Sequence, residues 1–429
     1  MISELPLTLS SDSPPLSLEP KAAAASMPPG ELACRIETSF AGLDALRETW
    51  DEAVMRLGGS IYMSYDWCRI WWNVYGAAKA LRLYWFEAGG RIVGLVPIYI
   101  QDLGWGPVAF RVARLVGANI PPKVFDPPLH PEWARDILVS VLKYLVDREQ
   151  CDLVSFGPVS SEHPSNAAFT EACGILKEWV QPVVRTAQDV QTLFAPPESM
   201  EAYLKSLSRN ERKNNRRLYD LSSLKESYEV REDVLHEPSE VAVEFERFLE
   251  QHSKEWQNRG RPGHFYAWPK AVDFHRALVK VLGQARRVRF VRLLANGEVI
   301  ASIYGFRLGT RLFAELPARR SGSEWEAYSL GRTIIVRTLV AAAREGITQV
   351  HAGLGHYDHK TRLGGKEGNV FRLHCVARRS SSYLRVRVWR GIQKALFLLY
   401  QKVWYRRVTP FLPRSFRRGQ SSYICSLDY

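Results

Sequence analysis

Residues Ala327-Tyr-Ser-Leu-Gly-Arg-Thr333 carry the combination of types best suited to holding an anion. A glycine at the start of a helix lets a ligand approach the backbone closely. The first N–H groups of a helix have no partner inside it, and the dipole there favours negative charge. Ser329 and Arg332 add a hydroxyl and a guanidinium beside Gly331, so the turn reads as a cradle for a pyrophosphate. The plainer reading is that Ser329 is an ordinary N-cap. Further on, His351, His356 and His359 lie close together, with Asp358 between the last two. Such groups can ligate a metal, but Gly353 and Gly355 break any regular ligand spacing, and no metal is expected. Gly353-Leu-Gly355 leads into no apolar helix and is not a dinucleotide fingerprint. Residues 205–217 carry six Lys or Arg against the single Glu211. That helix is either a solvated face or a surface for an anionic acceptor, cofactor phosphates or RNA.

The elements that must position these residues show in an internal repeat at an offset of 207 residues. Asp66-Trp-Cys-Arg69 matches Asp273-Phe-His-Arg276, and residues 81–99 match 288–306, with no gap from Asp66 to Gln101. Identities are few, but the pattern of helix, strand, tight turn, strand persists. Gly89-Gly90 and Asn296-Gly297 are type I′ dipeptides between β-rich runs. A repeat this long is a duplicated domain, not a solenoid unit. Each half continues with a helix and a strand: about 133–148 then 152–156, and about 330–345 then 348–352. This order predicts an α/β (mixed α+β) chain of two tandem domains, each a mixed sheet flanked by helices. Leu43, Leu46, Trp50 and Val54 stand near helical spacing and place a helix from Ile36 onward. The first half has Leu129-His-Pro-Glu-Trp-Ala134 where the second has its cradle. It lacks a glycine, and Glu132 would repel phosphate. The anion site is therefore expected in the second half alone.

Composition bounds the rest. The net charge is +13, yet residues 381–420 hold ten Lys or Arg and the last nine residues add Asp428. About +4 remains for everything else, so the basic signal belongs to one segment. In that segment Val388, Ile392, Leu396, Leu399 and Val403 recur at helical spacing, with Trp389 and Trp404 near the ends. Either an interfacial membrane helix or packing on the parent domain fits. No apolar run there nears the ~20 residues that a membrane span needs, and no secretory pattern opens the sequence. Six cysteines, none in a CxxC pair, read as reduced thiols filling the core. Residues 1–30, rich in Ser, Pro and Ala, are expected to be disordered. The expected division is 1–30, a degenerate domain 31–195, the anion-binding domain 196–380 and a basic amphipathic tail 381–429, with a linker near Ala195-Pro-Pro197.

The second half resembles the GNAT-type acetyltransferase domain of the CelD-like and FemABX-like group. The resemblance rests on the basic helix Leu207-Ser-Arg-Asn-Glu-Arg-Lys-Asn-Asn-Arg-Arg217, Asn296-Gly297, Ser329-Leu-Gly331, His351-Ala-Gly353 and Tyr357-Asp-His-Lys360, in that order. Counting the weaker first half, it covers about residues 35–375. Leu330 stands where the group usually has Pro, and His351 where it often has Asp. The resemblance implies transfer of an acetyl or other acyl group from acyl-CoA to an amine or hydroxyl. It places the pyrophosphate on Ser329, Leu330, Gly331, Arg332 and Thr333, and the thioester between two splayed strands. Glu315 or His351 would be the base that takes the acceptor's proton. Tyr357 or Lys360 would protonate the leaving thiolate or hold the acceptor. Plain structural readings stand beside these: an exposed strand residue for Glu315, a satisfied core histidine for His351, a solvated loop charge for Lys360. The implied setting is cytoplasmic, with the tail at the inner face of an anionic membrane and a small or polysaccharide-linked acceptor, as in envelope polysaccharide biosynthesis. The alternatives are a FemABX-like transferase using aminoacyl-tRNA and a non-catalytic module of polysaccharide assembly. The low charge outside the tail argues against a nucleic-acid partner, and Ser329 with Gly331 against a blocked cradle.

Overall fold

The computed structural model describes residues 31–411 apart from 105, 119–122, 184–188, 260–262 and 409–410. The segment 1–30, expected to be disordered, lies outside the described residues. In chain order the strands are β1 (Ala33–Glu37), β2 (Ala80–Ala88), β3 (Arg91–Leu103), β4 (Phe110–Leu115), β5 (Leu153–Ser160), β6 (Val180–Pro182), β7 (Asp189–Phe194), β8 (Val230–Leu235), β9 (Val288–Ala295), β10 (Glu298–Leu308), β11 (Arg311–Arg319), β12 (Gln349–Leu354) and β13 (Lys366–Ala377). They join in one sheet of order β1-β2-β3-β4-β5-β13-β7-β12-β11-β10-β9-β8, with β6 beside β13. The chain is a mixed α/β protein.

The repeat seen in the sequence is a repeat of topology. β1 to β4 are antiparallel neighbours and β4 runs parallel to β5. β8 to β11 are likewise antiparallel, and β11 runs parallel to β12. Both hairpin dipeptides sit at the turns. Gly89 and Gly90 have φ of 54° and 72°, and Asn296 and Gly297 have 49° and 80°, the left-handed pair that a type I′ turn requires. The helices Ala134–Asp147 and Leu330–Arg344 occupy equivalent places. The repeat-related helices Tyr65–Tyr75 and Ala271–Gln284 pack on each other, with Trp67 edge-on to Phe274 at 5.5 Å and to Phe306 at 5.3 Å. Trp67 is 1% exposed, and full burial of such a side chain contributes roughly 1.5–3 kcal/mol.

Three features differ from the expectation. Ile36 belongs to a strand, because β1 completes the edge of the sheet with Ile36 opposite Tyr84; the helix holding Trp50 and Val54 begins only at Arg47. The basic segment is two helices, Met200–Ser206 and Arg209–Tyr219. The break falls at Leu207-Ser208, where the Ser208 hydroxyl caps the second helix by accepting from the Glu211 N–H. Finally, the closing strands are exchanged. β13, late in the second half, pairs with β5 of the first, while β7, late in the first half, pairs with β12 of the second. Of the cysteines in the described residues, none is in a disulfide; Cys68, Cys151, Cys173 and Cys375 are buried and Cys34 is exposed.

Candidate functional site

β11 and β12 pair only over Arg311–Phe313 and Gln349–His351, and then part. Two local causes are visible. On β11, Tyr304 faces Leu316 while Gly305 faces Ala314, so Glu315 is an extra, bulged residue. A Cβ on Gly305 would lie 2.5 Å from the Phe313 carbonyl, so only glycine fits beside the bulge. On the other side, β12 turns away to pair with β7. The gap widens into a cavity of about 1070 Å³ with apolar walls that include Ile303, Ala314, Ile334, Ile335 and Leu354. In the first half the equivalent gap is filled by the chain itself. The Phe125 N–H donates to the Pro158 carbonyl at 2.7 Å, the Phe125 ring is fully buried, and Asp126 accepts from the Ser160 N–H.

One end of the cavity is the start of the helix Leu330–Arg344. Ser329 is not an ordinary side-chain cap: its backbone is left-handed (φ 45°) and its hydroxyl bonds no backbone N–H of the helix. Its carbonyl accepts from the N–H groups of Arg332 and Thr333, and its hydroxyl accepts from Arg332 Nη2 at 3.2 Å. The N–H groups of Leu330 and Gly331 meet no acceptor among the described residues. The Leu330 and Thr333 side chains are in the core, and Thr333 Oγ1 donates to the Tyr328 carbonyl. Of the five expected cradle residues, Gly331 and Arg332 therefore line the cavity. Ser329 serves by holding Arg332, Leu330 offers only its N–H, and Thr333 has nothing free to offer.

The cradle is strongly cationic. Arg332 lies 3.6 Å from Glu211 and donates to Asn215 at 3.3 Å, which ties the basic helix to this end of the cavity. Arg319 and Arg259 share the single carboxylate of Glu255, at 2.9 and 3.1 Å. The Arg319 guanidinium lies so close to Gly331 that a Cβ there would be 2.6 Å from Nη1. His359 registers the excess charge: burial lowers its pKa, and Lys360, Arg332 and Arg319 lower it further.

At the other end Glu315 is bound by Lys123 at 2.5 Å and accepts from the Tyr62 hydroxyl at 3.3 Å. Burial, and then the Glu315 charge, push the Tyr62 pKa far up, so its proton stays in place. His351 is neutral. Burial, helped by Arg311, pushes its pKa down to about 3; its Nε2 bonds Gln349 and its ring stacks on Phe313 at 4.4 Å. Lys360 donates to the Ala352 carbonyl at 2.8 Å and lies 4.6 Å from the centre of the half-exposed Tyr357 ring. Burial lowers the Lys360 pKa. Thus Glu315, His351, Tyr357 and Lys360 are gathered around one cavity with Gly331 and Arg332. His356 is instead engaged by Glu367 and Asp358, and no metal-ligating group of three converges among the described residues.

Several cavity residues were not foreseen. Lys123 and Tyr62 come from the first half, where no anion site was expected, and nothing in their local sequence marks them. His252, on the helix Pro238–Asn258, and His264, just past Gly263, form a hydrogen-bonded pair. His252 Nδ1 lies 2.9 Å from the Pro317 carbonyl, which can only accept. In the neutral ring Nε2 is then an acceptor, so His264 Nδ1–H donates to it across 3.3 Å. The lone pair of His264 is left on Nε2. Burial, His252 and Lys123 hold the His264 pKa below its ordinary value, so the ring is neutral at neutral pH while open to the cavity.

Residues 205–361 match the family model described as an acetyltransferase (GNAT) domain. Among solved structures, the chain is similar to FemX, at 9% identity, over 76% of this chain and 95% of that one, with a TM-score of 0.54. It is also similar to a conserved protein of unknown function from Bacteroides thetaiotaomicron, at 10% identity, over 80% and 100% of the two chains, with a TM-score of 0.50. At such identities the likeness is one of fold. No curated protein matches the sequence.

Proposed function

We propose that this protein is an acyltransferase that moves an acyl group from acyl-CoA to an amine or hydroxyl acceptor; residues 205–361 match the model of a GNAT acetyltransferase domain, and the fold of the chain is similar to that of FemX. The observation that carries the proposal is the opening between β11 and β12. It runs between a cationic helix start at Gly331 and a cluster of proton-handling side chains at Glu315. Acyl-CoA has matching parts: a pyrophosphate for the Leu330 and Gly331 N–H groups, Arg332 and Arg319, and an apolar arm for the walls.

In the reaction the acceptor nitrogen or oxygen attacks the thioester carbonyl, the C–S bond breaks, and CoA leaves as the thiolate, which takes up a proton. The acceptor's own proton must go to a base. Glu315 is paired with Lys123 and accepts from the Tyr62 hydroxyl, so its lone pairs are partly engaged; we assign it to orienting the acceptor. We assign His264, whose Nδ1–H is kept on His252, to take the proton at Nε2. His351 is stacked on Phe313 and held by Gln349, and we do not assign it this role. We assign Tyr357 and Lys360, on the β12 side, to donation toward the leaving sulfur.

One observation favours aminoacyl-tRNA as the donor instead. Arg209, Lys213, Arg216 and Arg217 on the basic helix remain exposed next to the cradle. Thermal unfolding in the presence of CoA, acetyl-CoA, longer acyl-CoAs and aminoacyl-tRNA separates the two. A CoA at ~100 times its dissociation constant adds about 2.7 kcal/mol of apparent stability. If only aminoacyl-tRNA stabilises the protein, the acyl-CoA reading is wrong.

A further inference from the structure

The tail carries a surface that the transfer reaction does not use. The helix Ser380–Leu398 continues as a π-helix over Leu399–Val408, and its root is fixed to the first half. Val386 and Trp389 are buried against Phe110, Val112, Leu153 and Val376. The Ser382 hydroxyl bonds Asp152, and Arg385 lies 3.7 Å from the same carboxylate. Beyond Trp389 no tail side chain enters a core cluster among the described residues. Of the fifteen large apolar side chains exposed among the described residues, nine fall in 383–411, among them Ile392, Leu396, Leu399, Val403 and Trp404. Concentration on one short stretch marks an interaction site, since scattered exposed apolar residues are ordinary.

The same stretch is uniformly basic. Residues 380–411 contain seven Lys or Arg and no Asp or Glu. Arg387, Arg390, Lys394, Lys402 and Arg407 meet no carboxylate among the described residues. The stretch cannot cross a bilayer: no helix among the described residues is long and apolar enough. A second copy of the chain would bring like charges face to face with no acid to offset them. A nucleic acid would satisfy the cations and leave the aliphatic side chains in water. An anionic bilayer surface accepts both, the cations at the headgroups and the apolar side chains at the acyl boundary.

We propose that residues 392–408 carry a docking surface for an anionic lipid bilayer, held out from the body of the protein by the Val386–Trp389 anchor. The surface lies outside the transfer site and does not depend on which acyl donor that site takes. The test is co-sedimentation of the full-length protein with vesicles of phosphatidylglycerol and phosphatidylcholine, or of phosphatidylcholine alone. Pelleting is expected with the anionic vesicles only, falling about tenfold or more between about 0.05 M and about 0.5 M salt as charges are screened. Lys394→Glu with Lys402→Glu, and separately Leu396→Ser with Leu399→Ser, should each weaken binding about tenfold or more. The thermal midpoint should stay unchanged, because the anchor is intact. A natively folded protein that ignores anionic vesicles at low salt overturns the proposal. So does undiminished vesicle binding by both double variants. Sedimentation velocity showing a dimer dissolved by Leu396→Ser with Leu399→Ser would assign the face to a second copy, and tRNA binding without vesicle binding would assign it to nucleic acid.

Discussion

Glu315 on β11 and Lys123 in the opposite half hold each other at 2.5 Å, their side chains 1% and 17% exposed. Each half of the chain thus supplies one charge of a nearly buried pair. Removing one partner strands the other in a poorly solvated place. Glu315→Gln should cost about 3–5 kcal/mol of stability. Glu315→Gln combined with Lys123→Met should be more stable than Glu315→Gln alone. Urea unfolding of the two singles and the double tests this; additive losses would mean that the pair is not coupled.

His264→Asn should lower kcat by about 10²–10⁴ and leave CoA affinity unchanged in a thermal-shift titration. Because the pKa of His264 is held below its ordinary value, the acidic limb of the pH–rate profile should lie below about 6.5 and vanish in the variant. Full turnover by His264→Asn, with turnover lost in Glu315→Gln, would pass the base role to Glu315.

At the cradle, Gly331→Asp should abolish stabilisation by CoA, since the new side chain displaces Arg319 Nη1 and sets a negative charge where the pyrophosphate belongs. Arg332→Ala should weaken CoA binding by roughly 1–3 kcal/mol. Undiminished CoA binding by Gly331→Asp would show that the phosphates lie elsewhere.

Acid should destabilise the protein through His275. It is buried among aromatic rings, beside Tyr304, and burial pushes its pKa down to about 3. The unfolded chain has a histidine pKa of about 6.5, so between these values the unfolded state binds a proton that the native state refuses. The contribution is fully present above about pH 6.5 and is lost as pH falls, by up to about 1.4 kcal/mol per pH unit, until the native ring titrates. Urea midpoints at about pH 7.5 and about pH 5 measure the slope. His275→Leu should flatten it by about one proton, and an unaltered slope would exclude this histidine as the source.

What the sequence disclosed were features with local causes. Asn296-Gly297 and Gly89-Gly90 dictate their turns because few residues accept two left-handed positions in succession. The helix from Leu330 was legible because apolar periodicity begins where the turn residues end. Ile36 reads as helical when weight is given to spacing, because the spacing does not show that the strand β2 takes its outer partner from this segment. Lys123, Tyr62, His252 and His264 were hidden for another reason: each acquires its role from a residue in a distant element. The filling of the first-half gap by Phe125 left its trace only as a missing glycine near Glu132.

The exchange of closing strands bears on how the protein is made. β5 finds its neighbour β13 only after roughly 200 more residues have been added. At about 5–20 residues per second, that strand edge waits on the order of 10–40 s for its cover. Through that interval the emerging first half presents an unpaired, apolar strand, the kind of template on which chains associate wrongly. Holding factors that bind nascent chains should therefore engage the first half until the second is nearly complete.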